Sequence, residues 1–151
     1  MVLLYRRSPG RGIGLMPAAK TVLVIEDEAD IQRFISRVLE LEGYKVLLAG
    51  DGVIGLDLLR KNPVSLVLLD LRLPGLDGWS VLRTIKDTPA LSLIPVIVLT
   101  AIAENIQRKK TMRMGAAKYL VKPLSAGSLS RTIAGVLREK GKELQTVARG
   151  R

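Results

Sequence analysis

The chain contains no cysteine and no histidine. The first absence removes disulfides, thiolate nucleophiles and Cys-ligated zinc or iron–sulfur centres. The second removes Ser-His and Cys-His dyads, imidazole acid–base chemistry, His-ligated metals and any phosphohistidine carried by this chain. Chemistry is left to carboxylates, lysines, hydroxyls and backbone. Aromatics are scarce too, with one Phe, one Trp and three Tyr, so the stacking platforms of single-strand binders are missing. No apolar run approaches the length of a membrane span, and Val2-Leu3-Leu4-Tyr5 is too short for a signal-peptide core.

What is present is 151 residues, with 24 basic side chains against 14 acidic ones and a net charge of +10. That length fits one domain with short tails. Much of the charge excess sits at the two ends. Residues 1–19 carry Arg6, Arg7 and Arg11 and no acid, and residues 138–151 carry five basic side chains against Glu139 and Glu143. The body is nearly balanced, which argues against nucleic acid and against a membrane surface as the main partner. The organisation expected is a flexible basic arm over 1–19, a folded domain over 20–138 and a basic tail over 139–151.

From Thr21 the apolar pattern alternates. Val22-Leu23-Val24-Ile25, Leu66-Val67-Leu68-Leu69 and Val96-Ile97-Val98-Leu99 are short continuous runs, as strands buried on both faces require. Tyr44 to Leu48 and Ala117 to Val121 are two weaker strands. Between them, Ile31 to Glu42, Asp51 to Lys61, Gly78 to Lys86, Glu104 to Met114 and Ser125 to Glu139 show helical spacing. Gly43 and Asn62-Pro63 supply stop signals. Five βα units in strict alternation predict an α/β fold, with a parallel sheet covered by helices on both faces.

Each strong strand ends in a polar residue: Glu26-Asp27, Asp70, Thr100 and, after the last strand, Lys122-Pro123. These are carboxyl ends of strands, the edge where open α/β sheets bind ligands. Three carboxylates gathered there repel one another, by about 4 kcal/mol per pair at 4 Å in a medium of effective dielectric near 20. The site therefore calls for positive charge, from Lys122 and from a hard divalent cation such as Mg²⁺, which favours carboxylate oxygen. An Asp beside both is a nucleophile suited to attack on a phosphoryl group.

These motifs resemble the receiver domain of two-component response regulators, over about residues 20 to 138. The resemblance rests on Val22 to Glu28, on Ala49-Gly50-Asp51-Gly52 and on Leu69-Asp70-Leu71-Arg72-Leu73-Pro74-Gly75-Leu76-Asp77-Gly78. It continues through Ile94 to Ala101 and Gly115-Ala116-Ala117-Lys118-Tyr119-Leu120-Val121-Lys122-Pro123. It implies a flavodoxin-like (βα)5 doubly wound sheet in the order 2-1-3-4-5. It also implies Asp70 as phosphoacceptor, supplied by a histidine kinase or a histidine phosphotransfer protein. Glu26, Asp27, Asp70 and the Arg72 carbonyl would hold Mg²⁺, Lys122 would pair with the acceptor, and Thr100 would bond the phosphoryl group. Tyr119 would be the aromatic that switches with Thr100, and Pro123 would follow a cis bond.

On this reading the chain is a signalling domain of a phosphorelay and no ordinary enzyme, its own chemistry being Mg-dependent phosphorylation and dephosphorylation of Asp70. It is expected in the cytoplasm, as a monomer or a weak phosphorylation-dependent dimer. It would be a stand-alone receiver or one cut from a longer regulator. Arg108, Lys109, Lys110 and Arg113 with Lys118 and Arg131 mark the fourth helix, fifth strand and fifth helix as the output face, read by an acidic downstream protein. A phosphate-independent scaffold is the alternative. A phosphatase with an Asp nucleophile would want a second carboxylate where Arg72 stands. Gly55 stands inside the second helix, where alanine would be favoured by about 1 kcal/mol.

Overall fold

A computed structural model describes residues 18–150. Five strands alternate with five helices: β1 (Thr21–Ile25), α1 (Ala29–Leu41), β2 (Lys45–Ala49), α2 (Gly52–Lys61), β3 (Leu66–Asp70), α3 (Gly78–Asp87), β4 (Val96–Thr100), α4 (Asn105–Arg113), β5 (Lys118–Val121) and α5 (Ala126–Arg149). The strands form one sheet in the order β2-β1-β3-β4-β5, every pair parallel. This is the flavodoxin-like doubly wound arrangement that the alternation and the resemblance imply. Among the described residues, no helix is long and apolar enough to cross a membrane.

The continuous apolar runs serve two cores at once. Leu23, Ile25, Val67, Leu69, Val96 and Val98 face Leu56 and Leu59 of α2 and Val81, Leu82 and Ile85 of α3. Val22, Val24, Leu66, Leu68, Ile97 and Leu99 face Ile35 and Leu39 of α1 and Leu129, Ile133 and Val136 of α5. Successive strand side chains point to opposite faces, so a central strand covered on both sides has no solvent-facing position to fill with a polar residue.

Polar side chains set where the helices begin. Asp51, Asp77 and Ser125 accept hydrogen bonds from the backbone N–H groups of Ile54, Ser80 and Ser128, capping α2, α3 and α5. At the end of α1, Gly43 takes a positive φ of 90°, a conformation that glycine adopts without strain. The expected fifth helix ends at Glu139, whereas α5 continues to Arg149. Nothing between the two stops a helix: there is no proline, and the lone Gly141 costs only about 1 kcal/mol. What was expected as a basic tail over 139–151 is therefore helical through 149. The basic arm expected over 1–19 lies outside the described residues, except for 18 and 19.

Gly55 has a packing reason. A Cβ there would lie 2.5 Å from Ile25 Cδ1, and Ile25 is fully buried under α2. Overpacking typically costs about 1–3 kcal/mol, more than the helix propensity alanine would return. Gly55→Ala is expected to lower stability by about 1 kcal/mol in urea unfolding. Adding Ile25→Val, which removes the nearest of the three obstructing Ile25 carbons, should make the double variant more stable than the two single effects sum to. Strict additivity would show that the close approach does not matter.

Candidate functional site

The carboxyl ends of β1, β3, β4 and β5 lie side by side because these strands are neighbours in the sheet. Glu26 and Asp27 follow β1, Asp70 ends β3, Thr100 ends β4 and Lys122 follows β5. Glu26, Asp27, Asp70, Thr100 and Lys122 thus arrive at this one edge, whereas Tyr119 lies inside β5, opposite Val98 of β4. One carboxylate oxygen from each of Glu26, Asp27 and Asp70 lies within 4.8 Å of the others. Lys122 Nζ donates to Glu26 Oε1 at 2.8 Å and to Asp70 Oδ2 at 3.1 Å. The remaining Asp70 oxygen, Oδ1, accepts the Arg72 backbone N–H at 3.0 Å. Glu26, Asp70 and Thr100 are buried, and Asp27 is exposed.

Helix α3 begins hard against the end of β3. A Cβ on Gly78 would lie 2.4 Å from the Asp70 carbonyl oxygen, so this close approach needs a glycine. Gln32 on α1 donates its side-chain amide to the Glu26 backbone carbonyl and steadies the other flank. Nothing in the sequence singled out Gln32, because a polar residue on a helix surface is ordinary until the fold turns it inward. Glu28 takes the N-cap position of α1 and makes no side-chain cap hydrogen bond. The Lys122–Pro123 bond is cis, as the resemblance implies.

The electrostatics are uneven. Glu26 Oε2 is buried without a hydrogen-bond partner. Burial, and then the adjoining Asp70 carboxylate, push the Glu26 carboxyl up to about 8, against the pull of Lys122. For Lys122, burial works downward but is outweighed by the two carboxylates, and its pKa rises. A buried carboxyl oxygen with no hydrogen-bond partner, in a group of three acidic side chains sharing one ammonium, fits a hard divalent cation. With oxygen as the only side-chain donor atom on offer, the set suits magnesium or manganese better than a softer metal.

Thr100 and Tyr119 both engage the segment after β4. Thr100 Oγ1 accepts the Ile102 N–H at 3.2 Å, and the Tyr119 hydroxyl donates to the Ile102 carbonyl at 2.6 Å. Tyr119 is thus turned inward and buried, and burial raises the pKa of its hydroxyl. Of the basic residues expected on the output face, Arg108, Lys118 and Arg131 line one groove beside Tyr119. Lys110 does not join them. Its ammonium lies over the ring of Trp79 on α3, 4.3 Å from the centroid, because its place on α4 turns it toward α3.

A protein-family model described as "Response regulator receiver domain" matches residues 22–134. The uncharacterized transcriptional regulatory protein YkoG of Bacillus subtilis (strain 168) is 40% identical over 127 residues, which cover 83% of this chain and 54% of that protein. The crystal structure of a CheY-like receiver domain protein from Methanospirillum hungatei JF-1 superposes with a TM-score of 0.77 at 27% identity, covering 83% of this chain and 98% of that one. A structure described as the Mn(2+)-bound form of response regulator Rcp1 superposes at 0.67 with 28% identity, covering 78% and 91%. The chain spans about half the length of the curated relatives it matches.

The raised Glu26 pKa makes stability depend on pH. Folded Glu26 keeps its proton up to about 8, while the unfolded chain loses it near 4.5. The contribution is therefore fully present below the lower value and is lost as pH rises through the upper one. In EDTA, the part of the melting temperature governed by Glu26 should fall between those two values, and Glu26→Gln should flatten that part of the profile. An unchanged profile in the variant would contradict the assignment.

Proposed function

The chain belongs to the response regulator receiver domain family, and we propose that Asp70 is its phosphoacceptor, loaded by a histidine kinase or a histidine phosphotransfer protein. The observation that carries this reading is the double ion pair of Lys122, which draws Glu26 and Asp70 together at the strand ends. Phosphoryl transfer forms a bond from an Asp70 carboxylate oxygen to phosphorus and breaks the bond from phosphorus to the donor's imidazole nitrogen. The receiver contributes the nucleophile and the electrostatic setting. It works on itself, without turning over a separate substrate.

Glu26, Asp27 and Asp70, with the Arg72 carbonyl, would hold Mg²⁺. That ion offsets the charge that builds up as a carboxylate meets a phosphoryl group. The orphaned Glu26 oxygen supports this, as does the likeness to a receiver described as Mn(2+)-bound. Lys122 pairs with Asp70 and then with a phosphoryl oxygen. Thr100 uses its hydroxyl oxygen as an acceptor in this structure, so its proton is available to a phosphoryl oxygen. Were the Thr100 side chain to turn toward phosphate, its bond to Ile102 would break, and the tether that Tyr119 shares would be disturbed. That links Asp70 to the α4–β5–α5 face, where a downstream protein partner would read the change. Such a domain operates where kinases and their regulators meet, in the cytoplasm.

Acetyl phosphate with Mg²⁺ should add one phosphoryl mass to the intact protein. Asp70→Ala and EDTA should each abolish the addition. Labelling that survives either treatment would overturn the assignment.

A further inference from the structure

Counted as a tail, the residues after 138 contribute charge but no surface. Helix α5 runs on to Arg149 and turns that charge into a row. Arg131, Arg138, Lys142 and Arg149 follow one another at seven, four and seven residues, which keeps them on one side of an α-helix, and all four are exposed. At 1.5 Å per residue the row is about 27 Å long. Leu129, Ile133, Val136 and Leu137, the buried side chains of α5, lie on the opposite side, and the exposed Leu144 and Val147 continue their line. The two acids of the helix are turned away as well. Glu139 and Glu143 line the cavity beside Lys86, and Glu143 pairs with Lys140 at 3.6 Å. Among the described residues, none of the four cations in the row is in an ion pair. Their neighbours on that face are Gly135, Gln145 and Thr146, which bring no large apolar group.

We propose that this row lies along the phosphate backbone of a DNA duplex and binds it without regard to sequence. The inference stands on α5 alone and does not depend on the phosphoacceptor reading. Exposed cations aligned along a helix with no acid among them, in a chain of net charge +10, are the electrostatic footprint of nucleic-acid binding. Three of the four are arginines, whose planar fork matches phosphate oxygens in pairs. The near balance of charge over the body tells against nucleic acid there, but Arg138, Lys142 and Arg149 lie beyond it. A protein partner would need aromatic or aliphatic anchors to bury, and the row has none. A helix lying on an anionic membrane inserts its apolar face, and that face of α5 is already taken by the sheet over most of its buried length. A single strand would find no aromatic side chain to stack on. Cations ranged along a straight rod meet phosphates, which fix position and carry no sequence information.

The test is fluorescence anisotropy of a short labelled DNA duplex with the full chain, titrated at several salt concentrations. Affinity should fall steeply with salt, and two duplexes of unrelated sequence should bind alike. Lys142→Gln with Arg149→Gln should lower the slope of log affinity against log salt by about two and weaken binding about tenfold. Lys109→Gln with Arg113→Gln on α4, the same loss of charge, should change both much less. Gly141→Pro keeps every cation but breaks the helix between Arg138 and Lys142, and it should weaken binding about as much as removing the two charges. The last buried side chain of α5 is Leu137, so this break spares the core, which a melting curve checks. Equal loss from the two Gln pairs, full binding by Gly141→Pro, or strong preference for one duplex sequence would each overturn the proposal. So would tighter binding to an RNA duplex, a single strand or phosphatidylserine vesicles, or no binding at all.

Discussion

Lys122 is the constraint on which the site depends. Among the described residues, it is the one cation in an ion pair with the site's carboxylates, its ammonium being shared between Glu26 and Asp70. Without it, the three carboxylates gathered within 4.8 Å would keep one protein donor between them, the Arg72 N–H on Asp70, and Glu26 is cut off even from solvent. A single lysine cannot satisfy all three. The residue of that imbalance is visible as the unpartnered Glu26 oxygen and as a carboxyl that holds its proton to about 8. A pocket so under-neutralised by its own side chains is one that a hard divalent cation fits.

The fold supplies this arrangement through a topological accident of parallel sheets. Each strand must deliver its carboxyl end to the same edge, so residues far apart in sequence, such as Glu26 and Lys122, become hydrogen-bond partners. The same logic ties the pocket to the opposite flank. Thr100 and Tyr119 meet at Ile102, one through its N–H and the other through its carbonyl. One short backbone segment thus connects the floor of the acidic pocket to the wall of the α4–α5 groove. Helix α4 buries little, so it is the element best able to move when that segment does.

The strands and the site were legible because both depend on short-range signals. A continuous apolar run means burial on two faces, and the polar residue that ends it marks the edge. The helix ends were less so. Helix α5 outran its expected limit because only a missing stop signal, which is a weak cue, distinguishes a helix that continues from one that ends. Gln32, the Lys110–Trp79 stacking and the Ile25 obstruction at Gly55 all depend on which face of a helix meets which neighbour. That is a tertiary matter, and the residue types themselves carry no mark of it. The basic cluster was visible as a count of charges, but its division into a groove rim and an outward-facing remainder required the packing of α4 against β5 and α3.

The most direct test of this account is calorimetry of Mg²⁺ binding near neutral pH in buffers of different ionisation enthalpy. If the unpartnered Glu26 carboxyl is protonated in the empty pocket and gives up its proton to the cation, the observed heat will depend on the buffer, and Glu26→Gln will abolish that dependence. Binding that releases no proton, or no Mg²⁺ binding at all, would contradict it.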